Sequence, residues 1–438
     1  MSGGYRLKPA QRIAGGYAVV AVVGGLLLML PICHRVPVSF TDAVFTSASA
    51  GFVTGLSTVT TATTWTPVGD VVIAALMQVG GWGITLVTTL VYLALGRKIS
   101  IGERRFMAED KNSGVRGIVR LIKSILYFSV SIEGAAVLIF SLYFHFHYHY
   151  LWSRALGISA FHAISAFNNA GFDLWGNNLE GFTRDPLVLI LTSFLIILGG
   201  LGFVVLVELY SWPKHRSLSL HARIVLKMTA ILLAAGTLLT LLFEANHSMA
   251  QLSWPYKILN AWFSSVTTRT AGFDSVPIGN MRDVTWFIYI VLMFIGASPG
   301  STGGGIKTTT FYLMLKTTMA TIRGRADIIA RERTIPWDLA TKSMVIFMLS
   351  MAVIFVGTLV NAVVEPHIAF MRLLFEEVSA FGTVGLTTGI TGIIGGPMKW
   401  VLICTMYIGR IGILTFLVSL ASQKHTHAKY LPERILIG

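Results

Sequence analysis

Four glycines carry the clearest chemistry in this 438-residue sequence. Gly55, Gly171, Gly272 and Gly385 each stand ten residues after an aromatic residue (Phe45, Phe161, Trp262 and Phe375) and directly before Leu or Phe. The phrases read Val53-Thr54-Gly55-Leu56, Asn169-Ala170-Gly171-Phe172, Thr270-Ala271-Gly272-Phe273 and Thr383-Val384-Gly385-Leu386. Spacings of 116, 101 and 113 residues make the chain a fourfold internal repeat. A dehydrated cation needs oxygens in place of its water, and backbone carbonyls supply them without a net charge that would trap it. Pointing successive carbonyls one way demands backbone angles that a Cβ resists and glycine permits. Four such turns, closed into a ring, would select a cation.

The fourth turn, Thr383-Val384-Gly385, matches the first half of the K+-channel filter sequence. Its missing Tyr-Gly half predicts fewer sites in the row and less stringent selectivity. K+ is therefore expected at Gly55, Gly171, Gly272 and Gly385, with the two residues before each glycine completing the filter. The short helices ahead of the turns would aim their partly negative C-terminal ends at the ion. Asn168 and Asn169 either offer side-chain oxygens or brace their loop from behind, and bracing is the favoured reading. Charges also sit close by, and an unpaired charge at this depth costs at least about 2.5–3.5 kcal/mol. Arg269 is accordingly expected to pair with Glu376 or Glu377 behind the filter.

The elements that must position these turns follow from composition and length. The chain is 54% hydrophobic and only 12% charged, which marks it as solvated mainly by lipid. Its net charge of +14 raises nucleic acid as a partner, but position argues against it. Of 34 Lys and Arg, 24 fall in residues 1–12, 96–123, 211–227, 316–342 and 423–438, in alternate connections between apolar runs. Those connections are cytoplasmic by the positive-inside rule, with both termini among them. First spans are expected near 13–30, 118–144, 224–243 and 344–364, and second spans near 67–95, 186–210, 284–319 and 397–421, the third of them interrupted. Before each glycine lie only about ten helical residues, half a crossing, so each segment should be a re-entrant half-helix. The fold class is thus all-α integral membrane: four pseudo-symmetric span–pore-loop–span repeats, eight transmembrane helices and four re-entrant half-helices around one pore. The expected divisions are a cytoplasmic N-terminus (1–12), repeats at 13–95, 96–210, 211–319 and 320–422, and a cytoplasmic tail (423–438). Arg6, Lys8 and Arg12 before the first apolar run resemble a signal sequence, but no small-residue cleavage site follows, so an uncleaved span is expected. Cys33 and Cys404 support neither a disulfide framework nor a metal site.

Two further features lie inside apolar spans. The third repeat carries Gly296-Ala297-Ser298-Pro299-Gly300-Ser301-Thr302-Gly303-Gly304-Gly305, followed by Ile306 and Lys307. Five glycines and a proline cannot stay helical in lipid. A Walker-type phosphate loop would need Lys directly after the last glycine and a preceding strand, and Ile306 intervenes in a membrane span. A flexible gating loop across the inner side of the filter fits better. Arg410, within Gly409-Arg410-Ile411-Gly412, should face a cavity or carbonyl groups. It either closes the glycine-rich loop and repels cations as a barrier, the favoured role, or clamps two helices statically. His145, His147 and His149 suit an interfacial aromatic belt better than a metal site. Glu133 lies mid-span and should pair with a polar residue of a neighbouring helix. Asp42 reads as a helix cap. Asp173 and Asp274 either concentrate cations at the outer mouth or end their turns.

With these motifs in hand, the chain resembles the Trk/Ktr/HKT superfamily of potassium transporters, most closely its bacterial Ktr-type membrane subunit. The four turns, residues 296–308 and Tyr407-Ile408-Gly409-Arg410-Ile411-Gly412 carry the resemblance over nearly the whole chain. The first span leads directly to the first pore loop, as in the Ktr branch rather than the Trk branch. The resemblance implies K+ as cargo, Na+ as an activator and no organic cofactor. It also implies a homodimer and a cytoplasmic octameric ring of KtrA-type subunits that bind ATP or ADP. Residues 97–105 and 323–333 would be docking surfaces for that ring, or simply positive-inside residues. Glycine rather than serine at position 55 points to K+ over Na+. Localisation would be the cell inner membrane.

Two other functions predict different residue patterns. A Na+ or H+ symporter built on broken helices predicts two matching interruptions, whereas one glycine-rich break stands out. A membrane enzyme predicts polar residues converging at one depth, and no nucleophile, base and electrophile do so.

Overall fold

The computed structural model describes residues 9–84, 86–87 and 118–420. Within them one order of elements recurs four times: a long helix, a shorter one ending in a turn, and a third helix that breaks. The first set is α1 (Pro9–Leu28), α2 (Phe40–Gly51) and α3 (Pro67–Trp82). The second is α4 (Ile118–Phe146), α5 (Trp152–Phe167), α6 (Pro186–Leu201) and α7 (Phe203–His215). The third is α8 (Leu220–Glu244), α9 (Trp254–Thr267), α10 (Asp283–Phe294) and α11 (Thr308–Ile322). The fourth is α12 (Trp337–Val364), α13 (Phe370–Gly382), α14 (Gly396–Ile411) and α15 (Ile413–Leu420).

Among the described residues four helices are long and apolar enough to cross a membrane: Ala10–Leu28, Ile122–Phe146, Leu220–Glu244 and Trp337–Val364. Their outward faces remain apolar, as at Leu238, Met348 and Val363, because hydrocarbon rather than water is their solvent. Local signals set the helix starts. The Ser39 and Ser219 side chains cap α2 and α8, and Thr66 and Asp185 cap α3 and α6 just before a proline at the first helical position. The four shorter helices have 12, 16, 14 and 13 residues, longer than the ten expected, and bury their C-terminal ends.

Two expectations need correcting. The second spans of repeats one, two and four are not continuous helices. The axes of α6 and α7 meet at 103° and those of α14 and α15 at 99°. The bends fall at Gly202 (φ +93°) and Gly412 (φ +89°), and α3 stops likewise at Gly83 (φ +83°). Counting each bent pair as one span gives up to six crossings among the described residues. The chain is also not purely helical, since β1 (Ile328–Ala330) pairs antiparallel with β2 (Arg333–Ile335). This hairpin buries Ile328 with Leu313, Ala320 and Ala340 and packs Ile335 against them.

The breaks serve the packing. A β-carbon at Gly80, Gly199 or Gly409 would run into the carbonyl oxygen of Gly51, Phe167 or Phe381, respectively. In repeats one, two and four the third helix thus presses against the end of its own half-helix. Each half-helix also packs on the third helix of the preceding repeat: α5 on α3, α9 on α6, α13 on α10 and α2 on α14. The order is cyclic, and Lys399 Nζ on α14 joins Asp42 Oδ1 on α2 at 2.6 Å where the fourth repeat meets the first.

Candidate functional site

The four turns share one backbone pattern. Val53, Asn169, Thr270 and Thr383 have φ of +58°, +59°, +71° and +48°, and the glycines two residues on have +97°, +71°, +78° and +95°. Thr54, Ala170, Ala271 and Val384 lie between them without positive φ. Carbonyls alternate sides along an extended chain; alternating the sign of φ brings them to one side. Non-glycine residues in this region are strained and are kept where the surroundings enforce them. Here the turns enforce one another. A β-carbon at Gly55 would come within 2.7 Å of the Ala170 oxygen, and at Gly171 within 2.8 Å of the Ala271 oxygen. At Gly272 it would come within 2.5 Å of the Val384 oxygen, and at Gly385 it would strike that of Thr54. The ring closes, and all twelve expected filter residues lie in it.

A brace that sequence reasoning missed holds three of the turns. Ser49, Ser165 and Ser379 each stand six residues before the glycine, and Val266 takes that place in the third. Ser49 Oγ accepts from Gly55 N at 3.0 Å, Ser379 Oγ from Gly385 N at 3.1 Å and Ser165 Oγ from Phe172 N at 2.9 Å. Their carbonyls accept from Thr54, Ala170 and Val384 N at 2.7–2.8 Å. The aligned serines were the available signal.

On one side of the ring the glycine-rich loop between α10 and α11 is tied to three repeats. Ser298 N and Thr302 N donate to the carbonyls of Gly200 (3.0 Å) and Gly199 (3.2 Å), and Phe203 N donates to Gly300 O (3.1 Å). Gly304 N donates to Thr383 Oγ1 at 3.0 Å, and Gly303 leaves no room for a side chain against Thr270 Oγ1. Lys307 Nζ folds back onto the carbonyls of Gly303 (2.6 Å) and Gly304 (3.3 Å). Arg410 supplies a further tie, donating from Nη1 to Thr302 O and from Nη2 to Gly80 O at the end of α3. Tyr17, Gly303, Lys307 and Arg410 line a cavity of ≈ 400 Å³ on this side. Opposite it lies a second cavity of ≈ 430 Å³, lined by Gly55, Gly171 and Gly385 and by Asp173, Glu180 and Asp274.

The expected pairing of Arg269 with Glu376 or Glu377 does not form. Glu376 accepts from Thr387 Oγ1, Thr388 N (3.1 Å) and Thr391 Oγ1 (2.9 Å). Glu377 accepts from Asn361 Nδ2 (2.8 Å) and Thr405 Oγ1 (2.5 Å). Both carboxylates are satisfied within their own repeat, and Arg269 Nη1 is buried without a hydrogen-bond partner. The two asparagines turn their side chains outward from the ring. Asn168 Nδ2 donates to Glu133 Oε1, and the Asn169 amide meets Thr270 Oγ1 at 3.3 Å, joining turns two and three. Ser39, not Asp42, caps α2, and Asp42 accepts from Ser39 and Thr58 as well as Lys399.

At the second cavity, Asp173 Oδ1 accepts from Trp175 N (2.8 Å) and Gly176 N (2.6 Å), which ends its turn. Burial, then the neighbouring Glu180 and Asp173 carboxylates, push the Asp274 carboxyl up to about 8. His145 stacks on Trp152 (4.0 Å between centroids) and His147 on Tyr143 (4.9 Å). Of the expected docking surfaces, 97–105 lies outside the described residues, as do residues 1–8 and the tail 423–438. Arg323, Arg325, Arg331 and Arg333 are exposed on and before the hairpin.

Comparison with known proteins adds an independent line. The TrkH family, described as cation transport proteins, matches residues 16–430. The chain is 39% identical to the Ktr system potassium uptake protein B of Bacillus subtilis, over 99% of this chain and 97% of that one. It is 36% identical to the potassium/sodium uptake protein NtpJ of Enterococcus hirae, over 99% and 98%. The crystal structure of the potassium transporter TrkH from Vibrio parahaemolyticus shares the fold, with a TM-score of 0.77 at 18% identity over 96% of this chain and 87% of that one. The chain is a multi-pass membrane protein that belongs to the TrkH family of cation transport proteins.

Proposed function

We propose that this chain takes up potassium through a gated, channel-like pore, with four glycine turns as its selectivity filter. The observation that carries the reading is the closed ring: four turns of alternating backbone handedness, each glycine packed against the carbonyl before the next. A ring of carbonyls replaces the hydration shell of a monovalent cation, and nothing in it forms or breaks a covalent bond, so the chain acts as a transporter and not an enzyme. The relatives named for potassium uptake support K+ as the cargo. Eight spans and four re-entrant half-helices, divided into repeats as above, surround the pore, with both termini cytoplasmic in the cell inner membrane. Loop 296–305 is the gate beneath the filter, and Arg410 is the barrier that holds it. Na+ stimulates transport. The protein works as a homodimer over an octameric KtrA-type ring, which docks at 97–105 and 323–333 and supplies the ATP and ADP response.

The test is uptake of labelled Rb+ by purified protein in liposomes loaded with K+, with K+, Na+ and Li+ as competitors. Strong competition by K+ and weak competition by the others, with no imposed proton gradient, is the expected result. Uptake that starts only on imposing a proton or sodium gradient would instead make the protein a coupled symporter.

A further inference from the structure

We propose that Glu133, in the middle of α4 and outside the ring, is a selectivity-determining positioning residue that holds the second filter turn through Asn168. The proposal rests on the filter reading above. Glu133 is only 8% exposed and takes part in no ion pair among the described residues. A buried, unpaired acid in a membrane helix persists where it has a task. Its Oε1 accepts from Gln78 Nε2 of α3 at 3.1 Å and from Asn168 Nδ2 at 3.0 Å. Asn168 Nδ2 also donates to Gln78 Oε1 (3.1 Å) and to Ile164 O within α5 (2.9 Å). Asn168 is fully buried and directly precedes Asn169, the left-handed residue that opens the second turn. One carboxylate oxygen therefore joins the third helix of repeat one, the first helix of repeat two and the turn itself.

Space as well as hydrogen bonding sets the orientation of the Asn168 amide. A β-carbon at Gly81 would strike Asn168 Oδ1, so α3 closes off that side and leaves the NH₂ group facing Glu133. The same position in the other repeats has no such hold. Phe52 packs edge-on against Tyr17, with centroids 6.0 Å apart, Gly382 has no side chain, and Arg269 Nη1 is unbonded. The second turn is thus the one whose position depends on an acceptor in a neighbouring span. Carbonyl positions set the fit between ring and ion, so loosening this turn should admit Na+.

The test reads the K+ over Na+ preference from competition against Rb+ uptake by the full chain in liposomes. Asn168→Asp sets two carboxylates face to face and should lower the preference about tenfold, the scale of losing one charge-assisted hydrogen bond. Glu133→Gln alone keeps an acceptor oxygen and should stay within about threefold of wild type. The double variant Glu133→Gln with Asn168→Asp reverses donor and acceptor across the same contact and should recover the wild-type preference. An unchanged preference in Asn168→Asp, or a double variant no better than Asn168→Asp alone, would overturn the proposal. Monodispersity in detergent reports folding. If Asn168→Asp does not fold, Gln78→Leu takes its place, expected to lower the preference about threefold, and an unaltered ratio there overturns the proposal equally. A wild type without K+ preference would overturn the filter reading first, and this proposal with it.

Discussion

A single guanidinium joins the glycine-rich loop to the end of α3, because Arg410 donates to Thr302 O and to Gly80 O. On the proposed pore reading, its charge would stand on the cation's path below the ring, where low dielectric amplifies repulsion. Arg410→Ala removes charge and tether together, so Rb+ uptake should rise about tenfold, equivalent to about 1.4 kcal/mol of barrier. Uptake rates equal to wild type would reduce Arg410 to a static clamp. At the second cavity, burial and then the Glu180 and Asp173 carboxylates push the Asp274 carboxyl up to about 8. A raised carboxyl is neutral below that pH and negative above it. The apparent affinity for Rb+ should therefore improve about two- to threefold between pH 7 and pH 9 in wild type and stay flat in Asp274→Asn. Identical pH profiles in the two proteins would show that this carboxyl does not face the ion. Arg410 stands out in sequence because a lone arginine in an apolar run has few explanations. Its partners do not, since Thr302 and Gly80 contribute only backbone oxygens. The Arg269 expectation failed for a related reason. Depth in the membrane is legible from hydropathy, but angle around the ring is not, and Glu376 and Glu377 find their hydroxyl and amide partners within the fourth repeat.

Broken third helices are the element-scale device, and in repeats one, two and four they let the half-helix end rest against glycine. Gly199 meets the Phe167 carbonyl with no room for a methyl group, whereas Gly157 on α5 has nothing within 4 Å of an added β-carbon. Gly199→Ala should accordingly lose about 1–3 kcal/mol of stability through overpacking. Gly157→Ala should be neutral or stabilised by up to about 1 kcal/mol through helix propensity. Thermal unfolding in detergent, followed by intrinsic fluorescence, compares them; equal midpoints would mean that the close approach at Gly199 is not needed. The long first helices and the glycine turns were legible, since an apolar run and a repeated phrase are local signals. The bends at Gly83, Gly202 and Gly412 were not, because a glycine within an apolar run is compatible with an unbroken span. Aligning Gly80, Gly199 and Gly409 behind the four turns would have exposed them. The β1–β2 hairpin escaped notice because its three-residue strands, set among arginines, carry too short an alternation to register.

At the scale of the molecule, four unequal quarters make one ring. Each half-helix packs on the third helix of the preceding repeat, and the Asp42–Lys399 pair joins the last quarter to the first. Pseudo-symmetry allows the quarters to specialise. Three turns use a serine brace, the third has Val266 in its place, and the second alone is held by Glu133 and Gln78. The fourfold order was legible from glycine spacing alone, but this specialisation needed the side-chain contacts. The 0.77 TM-score to a solved structure only 18% identical indicates that the fold tolerates wide sequence change. The central claim is that this ring of carbonyls selects the ion, and the third turn, without a serine brace, tests it most directly. The measurement is competition of K+ and Na+ against labelled Rb+ uptake in liposomes, for wild type and Gly272→Ser side by side. A β-carbon there presses on the Val384 carbonyl, so the K+ over Na+ preference should fall at least about tenfold while the protein remains folded. A Gly272→Ser protein that takes up Rb+ at the wild-type rate with the wild-type preference would contradict the carbonyl ring as the selecting element.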